Sequence, residues 1–298
     1  MPDDKTVVGR AVAIIEAVAD SRDPVSLATL TRRTGIPKPT VRRIANDLAR
    51  RGMLEVTPDG YRAGTLLIYH GLRAAQQHGF VVTAQPYIQD LYLRTRGEIV
   101  WCASLYGGEL TLNGSAFGRN YAEVMKRQNW PSLASFGPSM VLTAAGRLQI
   151  AAHEEQAEQI LAMRWAPLTQ YSVTDPRKLR ALLDEARDTG FAHEREQTAV
   201  GWSCVASAVR DSSGAFIGAI GITGRSAAIE QRSLHTGLVR SVESLQHELR
   251  EDRAAGVKLG KPSKSFGEIF TQYPRWTPNL APLLDVTPDR PPISMPPP

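Results

Sequence analysis

Thr34-Gly35-Ile36-Pro37-Lys38-Pro39-Thr40-Val41-Arg42-Arg43-Ile44-Ala45-Asn46-Asp47-Leu48-Ala49-Arg50-Arg51 is the stretch that decides how this chain begins. Pro39 disfavours the α region at Lys38 and itself suits a first helical turn, so a helix is expected from Pro39 to Arg51. Val41, Ile44, Ala45, Leu48 and Ala49 recur at helical spacing and form one apolar stripe. Arg43, Asn46 and Arg50 fall opposite it, with Arg42 on the flank. From Arg32 to Arg51 there are seven basic residues and one acidic residue, Asp47. Upstream, Ser26 is a good N-cap for a short helix over Leu27–Thr34, and Gly35 ends it. A further helix is expected over Val7–Ala19, with Val8, Ala11, Val12, Ile15 and Val18 at helical spacing. Two short helices joined by a tight glycine turn, the second carrying basic and amide groups outward, present those groups to a DNA major groove.

Downstream, Met53–Val56 and Tyr61–Ala63 flank Thr57-Pro58-Asp59-Gly60, a strong turn signal, so a hairpin follows the third helix. The unit reads as a winged helix-turn-helix. Arginine can read guanine and asparagine adenine, while lysine and threonine suit phosphates. The candidate DNA-binding residues are therefore Lys38, Thr40, Arg42, Arg43, Asn46, Arg50 and Arg62, with Arg62 on the wing. Leu66–His78 resumes helical spacing through Ile68, Leu72 and Ala75, interrupted by Gly71; it is expected to be a linker helix and a dimer contact.

The 298 residues carry a net charge of +5, and the excess is local: residues 1–79 hold 12 Lys/Arg against 8 Asp/Glu, whereas residues 80–250 hold 17 of each. With 42% hydrophobic and 22% charged residues, most of the chain can bury a core. The clearest apolar runs, Trp202–Val209 and Ala215–Ile222, fall far short of the roughly 18 residues a membrane helix needs. Met1-Pro2-Asp3-Asp4-Lys5 has no secretory pattern, and two cysteines make no disulfide framework, so a reducing, cytoplasmic compartment is expected. The last 48 residues hold 10 of the 20 prolines and are expected to stay extended or disordered. This gives a DNA-binding domain over 1–64, a linker helix over 65–79, a second domain over 80–250 and a Pro-rich tail over 251–298.

In the second domain, helices are expected over Pro86–Arg96, Pro138–Ala152, Pro176–Thr189 and Ala228–Arg250. Strands are expected over Glu98–Leu105, Leu110–Asn113, Trp202–Val209 and Phe216–Thr223, the last two joined by Asp211-Ser212-Ser213-Gly214. Paired strands with helices between them indicate an α+β fold with a mainly antiparallel sheet. No cofactor is implied. The six histidines show no His-x-x-x-His spacing, and there is no Cys-x-x-Cys, so no metal site is expected. Cys204 with His193 is the one pairing that resembles a nucleophile and base, but Cys204 in Trp202-Ser203-Cys204-Val205-Ala206 reads as a small buried hydrophobe, not a catalytic thiol. No enzyme activity is expected. A rival function is a redox switch in which Cys102 and Cys204 approach each other.

From residue 6 to 250 the chain resembles the IclR family of bacterial transcription regulators. The resemblance rests on Val8-Gly9-Arg10-Ala11, on Thr34 to Arg43, on Leu48-Ala49-Arg50-Arg51-Gly52 and on Tyr61-Arg62-Ala63-Gly64. It continues through Thr143-Ala144-Ala145-Gly146-Arg147, Gly190-Phe191-Ala192, Glu194, Glu196, Gly201, Cys204-Val205-Ala206 and Gly218-Ala219-Ile220-Gly221-Ile222. It implies a GAF-like mixed α/β effector domain that binds small molecules, commonly organic or aromatic acids. It also implies a homodimer or tetramer on a double-stranded DNA operator. The family's ligand-pocket positions carry over onto Ser135, Phe136, Glu194, Trp202, Cys204, Gly221 and Thr223. Departures include Ser135-Phe136-Gly137-Pro138-Ser139-Met140 in place of the usual Gly-x-Pro-x-His-Ala wording, and Phe136 and Trp202 imply a bulkier, more aromatic cavity. The run Tyr121–Trp165 is most similar to the branch regulating hydroxyphenylpropionate catabolism.

Overall fold

Three caps set the first helices. In the computed structural model, which describes residues 6–77, 80–95, 97–106, 108–127, 133–163 and 167–254, Thr6 Oγ1 accepts the Gly9 N–H at 3.0 Å and opens α1 (Val7–Ala19). Ser26 Oγ accepts the Thr29 N–H and opens α2 (Leu27–Thr34), and Gly35, at φ 68°, closes it in a left-handed turn that a side chain would strain. Helix α3 (Lys38–Arg50) starts one residue before the expected Pro39, with Pro37 as its N-cap. First-turn N–H groups lack helical partners anyway, so Pro39 removes no bond there. Val41, Ile44, Ala45 and Leu48 are buried as the stripe predicts.

Strands β1 (Leu54–Thr57) and β2 (Gly60–Ala63) form the expected hairpin, paired Leu54↔Ala63 to Thr57↔Gly60. Val25 adds a bridge to Tyr61 that the sequence did not announce. On α1 the expected face holds in part: Val18 is buried and Ala11 and Ile15 pack against the core, but the stripe missed Ile14 and wrongly included two valines. Ile14 and Val18 enter the core with Leu30, Ile36 and Tyr61, while Val8 (75%) and Val12 (47%) are exposed. Helix α4 (Thr65–Gln77) likewise exposes Ile68, Tyr69 and Leu72.

The chain divides after His78 into two units. The second opens with α5 (Phe80–Arg94), six residues earlier than expected and running through Pro86. Phe80, Thr83, Ala84, Ile88 and Leu91 bury one face of this helix, and that packing outweighs the hydrogen bond a proline removes. Strands β3 (Ile99–Tyr106) and β4 (Glu109–Ala116) follow. Next come a 3₁₀ turn at Arg119–Tyr121, α6 (Ala122–Arg127) and a 3₁₀ segment, Leu133–Leu142. The single helix expected over Pro138–Ala152 is broken at Thr143, whose Oγ1 caps α7 (Ala144–Ala151) through the Gly146 N–H. Helix α8 (Glu154–Ala162) and strand β5 (Phe191–Arg195) were not foreseen, whereas α9 (Pro176–Thr189) lies where expected. Strands β6 (Trp202–Arg210) and β7 (Phe216–Arg225) complete the sheet. The expected last helix is split into α10 (Ser226–Ile229) and α11 (Arg232–Ala254). The Pro-rich tail beyond Ala254 lies outside the described residues.

The five strands run antiparallel in the order β4-β3-β7-β6-β5. Alternation sorts their side chains onto two cores. One face carries Val100, Cys102, Val205, Val209, Ile220 and Ile222 against α5 and α11; the other carries Trp101, Trp202, Cys204, Ala206 and Ala219 against Tyr121, α7 and α9. The two cysteines therefore stand on opposite faces. Cys102 pairs with Ile220 and Cys204 with Thr223, two strands apart and three residues out of step. Strands lie about 4.8 Å apart, so the Cα atoms exceed the roughly 7 Å a disulfide spans. Burial pushes both thiols up to about 12. The redox switch expected as a rival is not built. Non-reducing mass spectrometry after mild oxidation of the native protein is expected to show two free thiols; an intramolecular Cys102–Cys204 bridge would contradict this sheet register.

Candidate functional site

Helix α3 sorts its basic residues into free and paired ones. Lys38, Arg42 and Arg43 are exposed and have no ion-pair partner among the described residues. Thr40 is partly buried in the first turn. Asp47 instead takes Arg50 at 2.9 Å and Arg51 at 3.3 Å. Asn46 is exposed, but its Oδ1 accepts the Tyr61 hydroxyl at 2.7 Å, which ties the helix to the hairpin. Arg62 Nε lies 2.7 Å from Glu55 Oε2 across the hairpin. Of the seven candidate residues, three basic ones are thus unengaged, and they share the N-terminal two turns of α3. The Thr40 and Val41 N–H groups there both donate to Pro37 O, so side-chain charge is what this end offers.

In the second unit, register brings the expected effector residues together. Glu194 pairs with Cys204 and Cys204 with Thr223, giving one row across three strands. The neighbouring row is Ala192, Ala206, Gly221 and Trp101. Trp202 lies two residues from Cys204 on the same face, edge-on to Tyr121 at 5.5 Å and under the Arg225 guanidinium at 5.2 Å. Tyr121 donates its hydroxyl to Glu98 at 2.7 Å. Ser135 and Phe136 belong to the 3₁₀ segment, and their side chains lie outside the described ones.

Sequence reasoning missed two residues of this face. Trp101 is 4% exposed, and its Nε1 donates to Thr223 Oγ1 at 2.9 Å, while Thr223 Oγ1 donates to Cys204 Sγ at 3.1 Å. The indole packs directly on Gly221, where a Cβ would collide with Cζ2. A glycine inside an otherwise apolar strand was the available signal of such an approach. The second residue is Arg147, 1% exposed on α7. Its guanidinium donates to Val141 O and His193 O at 2.9 Å and to Gln197 Oε1 at 2.5 Å.

Burial governs the charges here. Glu194 is 3% exposed, and desolvation raises its carboxyl to about 7, although N–H groups of Thr198 and Gln197 and the charge of Arg147 pull it back. Gln197 N lies 2.5 Å and Thr198 N 3.0 Å from Oε1. Desolvation likewise brings Arg147 down to about 10. His193 pairs with Val205, not Cys204, and so points to the opposite face, with its ring 5.4 Å from His235 of α11. No nucleophile and base are assembled from His193 and Cys204.

Comparison with known proteins agrees with both units. Residues 7–58 match the model of the IclR helix-turn-helix domain, and residues 74–251 match that of the bacterial transcriptional regulator IclR C-terminal domain. The chain is 27% identical over 245 residues to the HTH-type transcriptional repressor AllR of Escherichia coli K12, covering 78% of this chain and 85% of the repressor. It is also 27% identical over 254 residues to the glycerol operon regulatory protein of Streptomyces coelicolor, covering 83% and 96%. Among solved structures, an IclR homologue from Microbacterium hydrocarbonoxydans complexed with 4-hydroxybenzoate superposes with a TM-score of 0.69 at 21% identity, covering 83% of this chain and 100% of that one. An IclR regulator from Alicyclobacillus acidocaldarius gives 0.65 at 19% identity, covering 81% and 97%. At these identities the structures speak for the fold.

The Glu194 carboxyl makes a pH prediction. Between its ordinary value of 4.5 and about 7 the folded chain holds a proton that the unfolded chain has released, so stability from this group falls as pH rises through that window. His193, pushed from 6.5 down to about 4, acts in the opposite sense between those values. Glu194→Gln removes the first effect and leaves the second. Its melting temperature is expected to equal that of the wild type at about pH 4.5 and to exceed it by about pH 8, with a ceiling of about 3 kcal/mol. A difference between the two proteins that stays constant over that range would refute the assignment.

Proposed function

The chain belongs to the IclR family of bacterial transcriptional regulators, DNA-binding proteins of the helix-turn-helix class, and from that premise we propose that it is an effector-responsive regulator of a specific operator. The observation that carries this reading is the unpaired trio Lys38, Arg42 and Arg43 on the leading end of α3, held at fixed height by the Asn46–Tyr61 bond to the wing. Arg43 reads a base edge, Lys38 and Thr40 contact phosphate, and Arg42 flanks them. Arg50 and Arg62 reach the backbone only by leaving Asp47 and Glu55.

The regulator acts in the bacterial cytoplasm as a homodimer or a tetramer, each subunit placing α3 in one major groove of a near-palindromic site. The exposed Ile68, Tyr69 and Leu72 of α4 supply apolar surface for such a contact. The effector is a small organic or aromatic acid seated on the sheet face beside Glu194, Cys204, Thr223 and Trp202; Gly221, covered by Trp101, does not line this seat. A carboxyl that titrates at about 7 accepts a bond from a ligand hydroxyl when ionised and donates one to a ligand carboxylate when protonated. The homologue solved with 4-hydroxybenzoate supports an acid as the ligand class. Binding shifts the DNA-binding equilibrium to the extent that the acid prefers one arrangement of the heads.

Arg43→Ala is expected to cost about 1–3 kcal/mol of operator affinity and to relax sequence preference at one position. Lys38→Ala should weaken all sequences alike and lower the salt slope by about 1. Fluorescence anisotropy on DNA from upstream of the protein's own locus, over a salt series, checks both; an Arg43→Ala protein indistinguishable from wild type would refute this facing of α3.

A further inference from the structure

We propose that the groove between α5 and α11 is a second ligand site, which takes a small phosphate monoester with free hydroxyls, such as a sugar phosphate. It belongs to the helical layer packed on Val100, Cys102 and Val205, the sheet face opposite Trp101, Trp202 and Cys204. It is therefore independent of the effector reading above.

The groove has a volume of about 690 Å³, which suits a small molecule. Three guanidiniums line it, Arg94 from α5 and Arg232 and Arg240 from α11, against one carboxylate, Asp90. All four are exposed, and none has an ion-pair partner among the described residues. Elsewhere in this unit Arg187 meets Glu154 at 2.6 Å, and Arg195 meets Glu230 at 3.7 Å. Arginines left without carboxylates along one groove suit a phosphate, whose oxygens accept forked pairs of N–H bonds. Arg232 also opens α11, so the positive end of a 23-residue helix adds to the same charge. Asp90 and the hydroxyls of Ser233, Ser241 and Ser244 supply acceptors and donors for the alcohol groups of an ester. Tyr87, also in the lining, donates to Glu248 at 2.7 Å. That carboxylate lies eight residues, about 12 Å of helix, beyond Arg240 and does not pair with it. Gly237 marks where the groove is open. It sits inside α11 between Arg232 and Arg240, where a glycine weakens a helix. A Cβ there would meet no atom within 4 Å, so no packing neighbour calls for the glycine. Its missing side chain keeps the lining low and lets a ligand reach the helix backbone between the two arginines.

Isothermal titration of the full chain with glucose 6-phosphate, inorganic phosphate and glucose tests this. The ester is expected to bind about tenfold more tightly than inorganic phosphate, and glucose not to bind measurably. Replacing Arg232→Gln and Arg240→Gln together should weaken the ester by about tenfold or more. Gly237→Glu sets a carboxylate where nothing obstructs it, so the variant should fold and lose the ester. Asp90→Asn should narrow the preference for the ester over inorganic phosphate without weakening the latter. Arg177→Gln makes the same charge change as each arginine variant on the exposed start of α9, and it should bind as the wild type does. The proposal is overturned if the wild type binds neither phosphate or binds both equally. It is also overturned if the groove variants bind like the wild type, or if Arg177→Gln weakens binding as much as they do. Groove variants that change only the salt slope of operator binding, with no phosphate taken up by the wild type, would overturn it in favour of a DNA-backbone contact. The titrations are made without DNA or an organic acid, so their failure leaves the operator and effector readings standing.

Discussion

The second unit depends on a single constraint, the register of β6 between β5 and β7. Every residue from Trp202 to Val209 is buried, so both faces of that strand are committed to cores of different content. A slip of one residue would carry Val205 and Val209 into the acid-bearing face and put Cys204 and Trp202 against α5 and α11. The row Glu194–Cys204–Thr223 exists only because the register holds. The cost of a slip is therefore paid in two cores at once, and that is what makes the arrangement unique.

Arg147 joins this sheet to the layer above it. A guanidinium buried to 1% exposure is tolerable only when its donors are met, and its three acceptors come from separate segments: Val141 before α7, His193 on β5 and Gln197 beyond it. The Gln197 backbone N–H in turn binds Glu194. The buried cation and the buried carboxyl are thus positioned by one short stretch, 193–198, and a movement of either is felt by the other through Gln197. Glu194 approaches neutrality because its environment is apolar, and Arg147 limits how far that goes.

Much of the first unit was legible because its signals are local. Ser26, Gly35 and the Val41–Leu48 stripe each act within a few residues of themselves, and the helices and hairpin fall nearly where they were expected. What was missed there is non-local: packing with α2 and α3 draws Ile14 in and leaves Val8 and Val12 out, and the Val25 bridge is made to a strand thirty-odd residues away. In the second unit Pro86 and Pro138 were given the weight that proline carries in isolated helices, whereas packing under α5 overrides it and the Thr143 cap decides where α7 begins. Glu194, Cys204 and Thr223 were reachable through family likeness, but Trp101 was not. Its place on this face follows from lying opposite Gly221, and no property of the tryptophan's own neighbours in sequence announces that pairing.

Glu194 and its neighbours form one proton-linked unit. The carboxyl is poised at about 7 because burial favours its neutral form, while the Gln197 and Thr198 N–H groups on Oε1 and the charge of Arg147 favour the ionised one. Those N–H bonds are stronger to a charged oxygen than to a neutral one, so taking up a proton weakens the hold of 197–198 on the side chain. Arg147 keeps its own bonds to His193 O and Gln197 Oε1 in either state, because neither acceptor titrates. The 193–198 stretch therefore has one fixed tether and one that follows pH, and burial of the carboxyl is what places that change near neutrality.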